Sequence, residues 1–271
     1  MPEEDMARET KDSKERRSTN IIAVDRAIDV MELLYREDRP MGVNEMAAAM
    51  GEHQSTIHRV LNTLKDRGYV YQNTETSKYD LSYKLFMLGK RVETRSALIN
   101  MVKPYAQKIA RQYKETVNVG VRDMSRTDSY YALTIWQERG GSRNLSVTES
   151  VGQTYECFYS GIGKALLAHS EDYDPVKMRS IELKGSSPNS ITDNEAFIRE
   201  IEKIRKQGYA IDDEENEMGL YCVACPILNR KGQAVLAISV SGYKGHVAEL
   251  GVENIYKTLR EACDEISKQL I

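Results

Sequence analysis

The chain has 271 residues, 41% of them hydrophobic and 29% charged, with a formal net charge of −3, enough for two domains with separate cores. It holds no apolar run of about 18 residues, which excludes a membrane-spanning helix, and its charged opening MPEEDMARETKDSKERR lacks the apolar centre of a signal peptide, so a cytoplasmic protein is expected. Four cysteines in such a chain are expected to be reduced thiols.

Residues 1–17 carry five basic and six acidic side chains and almost nothing apolar, the composition of a disordered tail. Ala27, Val30, Met31 and Leu34 then follow the i, i+3, i+4, i+7 rule of an amphipathic helix, broken by Asp38-Arg39-Pro40. Val43, Met46, Ala47 and Met50 repeat the spacing in a second, short helix that Gly51 can end. Ile57, Val60, Leu61 and Leu64 repeat it a third time, with Gly68 as the stop. Two β-type runs, Tyr69–Tyr71 and Lys78–Leu81, flank the polar turn Asn73–Ser77. Three short helices and a hairpin predict a winged helix-turn-helix over 18–81. Residues 82–95 read as helical, within a linker helix assigned to 82–97.

From residue 98 to 271 strands interleave with helices, which predicts an α+β domain around an antiparallel sheet. Val117, Val119 and Val121 alternate as a half-buried strand should, and 129–136 is a partner strand. Thr192 to Glu195 reads as a capping box for a helix that stops at Gly208. Strands at 219–227 and 233–242 flank the turn Asn229–Gly232, and Val252, Ile255, Leu259, Ala262 and Ile266 mark a closing helix.

If Ile57, Val60, Leu61 and Leu64 are buried, the other face of the third helix presents Gln54, Ser55, His58, Arg59, Asn62 and Lys65. Such groups suit base edges and phosphates: Arg for guanine, Gln and Asn for adenine, Ser and Thr for either. Helix, tight glycine turn, then polar-faced helix is the arrangement that enters a major groove. Asn44 and Thr56 extend the candidate DNA-binding set, and Lys78 beside the hairpin turn is placed to meet a phosphate. Charge agrees locally: residues 18–52 hold three basic and seven acidic groups, but 53–91 hold seven basic and three acidic. Any surface helix has a polar face. Three correctly spaced helices with a wing make double-stranded operator DNA the expected partner.

The stretch AVDRAIDVMELLYREDRPMGVNEMAAAMGEHQSTIHRVLNTLKDRGYVYQNTETSKYDLSYKLFMLG resembles the N-terminal domain of the IclR (isocitrate lyase regulator) family. SGIGKALLA at 160–168, ITDNEAFIREIEKIRKQGYAIDDEENEMGLYCVACPIL at 191–228 and SVSG at 239–242 resemble that family's effector-binding domain, so the likeness covers roughly 18–268. It implies a GAF-like sensor fold, a homodimer or dimer of dimers, and control by a small metabolite, commonly a carboxylate. Its effector positions fall on Ser160, Gly161, Asp212, Cys222, Ser239 and Ser241. Residue chemistry supports the set independently. Ser160 is a natural N-cap beside free N–H groups that favour an anion. Ser239 and Ser241, two apart in a strand, share one face, as do Leu220, Cys222 and Ala224 on the partner strand. Asp212 can accept from ligand hydroxyls, although the acidic run 212–215 also fits a plain surface loop. Serine then glycine before Gly163-Lys164 is similar to the family's sugar-acid regulators, such as those answering to 2-keto-3-deoxygluconate, and Gly161 is expected to leave room beside the ligand. An aromatic or short keto acid is the alternative effector.

Enzymatic readings are weaker. Cys222 and Cys225 have CxxC spacing, but i and i+3 in a strand lie on opposite faces and no second pair completes a zinc site. Gly163-Lys164 lacks the first glycine and the Ser/Thr of a nucleotide loop. There is no GxSxG or HExxH motif, and the four histidines are scattered. Lys164 as a Schiff-base lysine needs a desolvated amine, whereas its place near a cap predicts solvent contact. No catalytic residue, metal or cofactor is expected.

Overall fold

The computed structural model describes residues 21–125, 129–141 and 151–270; the tail expected at 1–17 lies outside them. The chain divides into two compact units, Met1–Arg95 and Ser96–Ile271.

In the first unit, helices α1 (Ile22–Glu37), α2 (Val43–Met50) and α3 (Gln54–Asp66) close over one core. That core takes Val30, Leu33 and Leu34 from α1, Met46 and Ala47 from α2, and Ile57, Leu61 and Leu64 from α3. Each fully buried aliphatic side chain contributes roughly 1.5–3 kcal/mol, so the periodic stripes fix the rotation of each helix. Gly51 ends α2 at φ 65°, in the left-handed region that glycine tolerates, and the chain enters α3 three residues later. Strands β1 (Val70–Gln72) and β2 (Tyr79–Leu81) form the antiparallel hairpin, with Val70 opposite Leu81. The Asn73 side chain accepts the N–H groups of Glu75 and Thr76 and so closes the turn. Met41 adds a bridge that the sequence reading lacked, exchanging backbone bonds of 3.0 and 2.8 Å with Tyr79. Helix α4 (Tyr83–Arg95) follows and buries none of its residues within this unit.

The second unit begins with α5 (Ala97–Tyr113), a helix absent from the sequence reading. The linker helix assigned to 82–97 therefore ends early: Ser96 accepts the Ile99 N–H at 3.2 Å and caps α5. Strands β3 (Thr116–Asp123), β4 (Tyr131–Glu138), β5 (Thr154–Glu156), β6 (Ala210–Asp213), β7 (Leu220–Leu228) and β8 (Ala234–Tyr243) make one antiparallel sheet in the order β5-β4-β3-β8-β7-β6. The strand expected at 129–136 is thus displaced by two residues.

Helices cover both faces of this sheet. On one face α5, with α9 (Lys244–Leu250) and α10 (Val252–Ser267), packs on Val117, Val119, Val223, Cys225, Ile238 and Val240. On the other, α6 (Gly161–Ala168), α7 (Pro175–Met178) and α8 (Asn194–Gln207) pack on Ala132, Cys222, Ala224 and Ala237. The valine alternation of β3 therefore marks one of two covered faces, and not the half-buried strand that was expected. The capping box at Thr192 is also replaced. Asp193 is the cap, accepting the Ala196 N–H at 2.7 Å, while Glu195 turns outward to Arg179 at 2.6 Å.

Candidate functional site

The apolar stripe of α3 dictates what its far side shows. Gln54, Ser55, His58, Arg59 and Lys65 are exposed, as is Asn44 in the first turn of α2, while Thr56 and Asn62 are half-buried. Asn62 Nδ2 lies 3.2 Å from His58 Nδ1, which links two of the outward groups. Thr56 departs from the expected face. With Arg59, Val60, Asn62 and Thr63 it lines a groove of about 470 Å³ against Ala23, Arg26 and Ala27 of α1. Two lysines are tethered. Lys65 donates to Gln72 at 3.2 Å, joining α3 to the hairpin. Lys78, expected to meet a phosphate, keeps its side chain partly exposed and pairs with Glu45 at 3.3 Å, linking the hairpin to α2. The Gly42 N–H at 2.6 Å, then Arg39 and Lys78, hold the Glu45 carboxyl down to about 2.

In the second unit the six residues assigned to effector binding converge. Asp212 of β6 pairs with Cys222 of β7, and Cys222 pairs with Ser241 of β8. One step along the same face, Ala224 pairs with Ser239, and Ser239 with Asn118 of β3. Directly paired residues share a face, so these side chains form two adjacent rows beneath α6. Ser160 caps α6, accepting the Gly163 N–H at 2.9 Å. That leaves the first-turn N–H groups of Gly161 and Ile162 beyond reach of any helical carbonyl.

The rows are buried and internally bonded. Ser239 and Ser241 share a hydrogen bond of 3.0 Å, the Asn118 amide reaches Ser241 at 3.5 Å, and Gln137 donates to Asn118 at 2.9 Å. Asn118 and Gln137 were missed because the valine alternation made their face look wet. Gly161 does not leave room. A Cβ there would lie 2.8 Å from Cys222 Sγ, so the thiol already fills that space. Gly120 acts likewise, since a Cβ would stand 2.6 Å from the Ile162 side chain. Together the two glycines let α6 sit flush on the sheet. Cys222 and Cys225 face opposite cores, as the strand period requires. The depression of about 570 Å³ lined by Tyr113, Glu115, His246 and Glu249 touches none of these rows.

Lys164 overturns its expected solvent contact. It is fully buried, and Nζ donates to Glu215 Oε1 at 2.5 Å. An amine committed in this way is no free nucleophile. Asp212 is also buried, in a strand and not in the surface loop its acidic neighbourhood allowed, and Oδ1 accepts the N–H groups of Glu215 and Asn216 at 2.8 and 3.2 Å. Burial is the largest influence on Asp212 and, with the Glu215 charge, outweighs Lys164 and the backbone donors, pushing its carboxyl up to about 7.

Family models agree with this division: the IclR helix-turn-helix domain matches residues 23–74, and the bacterial transcriptional regulator IclR C-terminal domain matches 91–268. The chain belongs to the IclR family. The HTH-type transcriptional regulator KdgR of Escherichia coli K12 is 32% identical over 242 residues, 86% of this chain and 87% of that one. The crystal structure of the Thermotoga maritima IclR superposes with a TM-score of 0.72 at 26% identity, covering 93% of this chain and 99% of that one. An IclR regulator from Alicyclobacillus acidocaldarius gives 0.80 at 25% identity, covering 92% and 98%. As an IclR member the protein is a DNA-binding transcriptional regulator and not an enzyme. No helix among its described residues is long and apolar enough to cross a membrane.

The raised carboxyl of Asp212 has a consequence for stability. Between its ordinary value of 3.8 and about 7 the folded chain keeps a proton that the unfolded chain has lost. Stability from this group is therefore greatest below the unfolded value and is lost as pH rises through that window. Asp212→Asn keeps a carbonyl acceptor for the two N–H groups without the charge. Relative to the parent it should gain up to a few kcal/mol as pH rises from about 5 to about 8, read from urea midpoints. An equal difference at both pH values would show that Asp212 ionises freely.

Proposed function

We propose that this IclR regulator reads operator DNA with Asn44, Gln54, Ser55, His58, Arg59 and Asn62, and that a small hydroxylated carboxylate of the sugar-acid class sets its operator affinity. The observation that carries the effector reading is the buried polar double row under α6. An aromatic ring placed there would leave Asp212, Asn118 and the serine pair without partners, at roughly 1–3 kcal/mol for each group. A polyhydroxy acid replaces the bonds it breaks. Its carboxylate is assigned to the N-terminus of α6 at Ser160 and Gly161, where N–H groups and the helix dipole favour an anion. Its hydroxyls are assigned to Asp212, Ser239 and Ser241. Cys222 is assigned the wall between them. The likeness to KdgR points the same way.

For DNA, Arg59 is the most telling residue, because it is exposed on the outer face of α3 and lies outside the α1–α2–α3 core. Arg59→Ala should weaken operator binding by about 1–3 kcal/mol if it contacts a base in bidentate fashion, with an unchanged melting temperature. An unaltered gel shift at fixed salt would exclude this recognition face.

One such unit offers too few contacts for a specific site, so two half-sites and a homodimer, or a dimer of dimers, belong to the same reading. Helix α4 supplies a surface. Phe86, Met87 and Val92 are 68%, 69% and 71% exposed in the single chain, large apolar side chains spread around the helix for a second copy to cover. Sedimentation should give a dimer at micromolar concentration, and Phe86→Glu with Val92→Glu should shift it toward monomer. A parent protein that sediments as a stable monomer would remove this part of the proposal.

The effector itself is tested by thermal shift with 2-keto-3-deoxygluconate, gluconate and pyruvate. A binder raises the melting temperature in step with its concentration, and it should change operator affinity as well. Ser239→Ala combined with Ser241→Ala should keep the fold and the DNA binding but lose the shift. If no acid in the panel stabilises the parent protein, the carboxylate reading fails.

A further inference from the structure

Three ionisable side chains meet where α6, β6 and the turn after β6 converge. Asp212, Lys164 and Glu215 are 1%, 0% and 9% exposed. Lys164 Nζ holds Glu215 Oε1 at 2.5 Å, and Glu215 Oε2 is buried with no hydrogen-bond partner among the described residues. The Glu215 backbone N–H is bound to Asp212 Oδ1 at 2.8 Å, and the Glu215 charge bears on the Asp212 carboxyl. Other groups around this cluster add little positive charge. Glu200 of α8, itself paired with the exposed Lys203 at 3.2 Å, bears on Glu215, and β7 contributes the Cys222 thiol. Lys244 is committed to Asp213 and Glu214 at 2.6 and 2.7 Å.

Two carboxylates against one ammonium leave a deficit of one positive charge. A carboxylate ligand at the start of α6, one turn from Lys164, would bring a second negative charge into the same buried region. The helix N-terminus offers the equivalent of only about half a charge. Like charges that cannot both stay ionised share a proton. Resting on the effector reading above, we propose that this protein binds its anionic effector together with one proton, which the Asp212–Glu215 pair takes up. The Lys164–Glu215–Asp212 cluster thereby selects for an acid carrying a single negative charge and donor hydroxyls, and against dianions. Burial raises both carboxyl groups, Asp212 to about 7, so the proton is available near neutral pH.

The test is calorimetric titration of the full chain with 2-keto-3-deoxygluconate, whose own carboxylate is ionised throughout the range used. Run in phosphate and in Tris at about pH 7.5, buffers that differ in ionisation enthalpy, it should report uptake of about three-quarters of a proton per ligand bound, since a carboxyl near 7 is already about one-quarter protonated in the free protein. The dissociation constant should be nearly flat below about pH 6 and rise up to about tenfold per unit above about pH 7. Asp212→Asn, or Glu215→Gln if that variant fails to fold, should lower both the proton uptake and the pH slope, whatever it does to affinity. Tight binding with no proton exchange in either buffer overturns the proposal while leaving the sugar-acid reading intact. A slope that survives in both variants also overturns it, since the proton is then held elsewhere. If the acid binds at no pH tested, the effector reading and this proposal fall together.

Discussion

The contact on which the sensor unit depends is the close seating of α6 on the sheet, with glycines where helix and strands come nearest. Gly161 against Cys222 and Gly120 against Ile162 remove the Cβ atoms that would hold helix and strands apart. A helix so close, with all eight of its residues buried, denies water to everything beneath it. Polar groups there must pair with one another or with a ligand, because an unpaired buried group costs about 1–3 kcal/mol. The opposite face of the same strands has no such demand, being built from Val117, Val223, Cys225, Ile238 and Val240. One sheet therefore carries a structural face and a chemical face. The period of two decides which residue serves which.

The DNA-reading unit solves a different problem, since it is small and its reading face must stay wet. Apolar stripes set the rotation of each helix, and polar links then fix the relative positions of parts with little core between them. Arg26 reaches Glu52 at 2.8 Å, tying α1 to the turn before α3. Glu45 gathers Gly42, Arg39 and Lys78. Exposed ion pairs of this kind contribute little to stability. Their value lies in geometry, because a recognition helix displaced by an ångström misses its base edges.

Local rules explain why much of this was legible from residue order. Ser160 three residues before Gly163-Lys164 marks a cap, Gly51 and Gly208 mark helix ends, and the spacing of Ser239 and Ser241 places both on one face. Failures trace to non-local facts. Pro104 inside α5 hid a helix whose buried residues Ile99, Val102, Ala106 and Ile109 keep a helical period, since proline is rare within helices. Asn118 was invisible because one regular row of valines fits a half-wet strand as well as a doubly covered one. The burial of Lys164 depends on Glu215, fifty-one residues away, and no local pattern announces that pairing. Gly161 was read as added space, whereas Cys222 occupies that space from across the chain.

A rule for ligand entry follows from the same packing. Whatever comes into the double row must exchange existing hydrogen bonds, and the two walls differ in how readily they yield. Moving α6 separates the buried apolar contacts of Ile162, Ala165 and Leu166, for which water offers no compensation. The turn after β6 is held instead by replaceable polar bonds. Ser186 donates to the Asn216 carbonyl at 2.7 Å, Ser187 to that of Glu214, and Ser190 to that of Glu215 at 2.5 Å. Three serine hydroxyls on three consecutive carbonyls can be traded for water at nearly constant free energy, since a protein hydrogen bond nets only about 0.5–1.5 kcal/mol over solvation. Asp212 and Glu215 stand at the base of this turn and the Lys164 bond crosses to α6, so displacing the turn changes the charge environment of the site in the same movement. A ligand can shift an equilibrium only by its differential affinity for two states. On the proposed reading, the turn is the wall that gives way to a ligand at least cost, and α6 is the wall that stays.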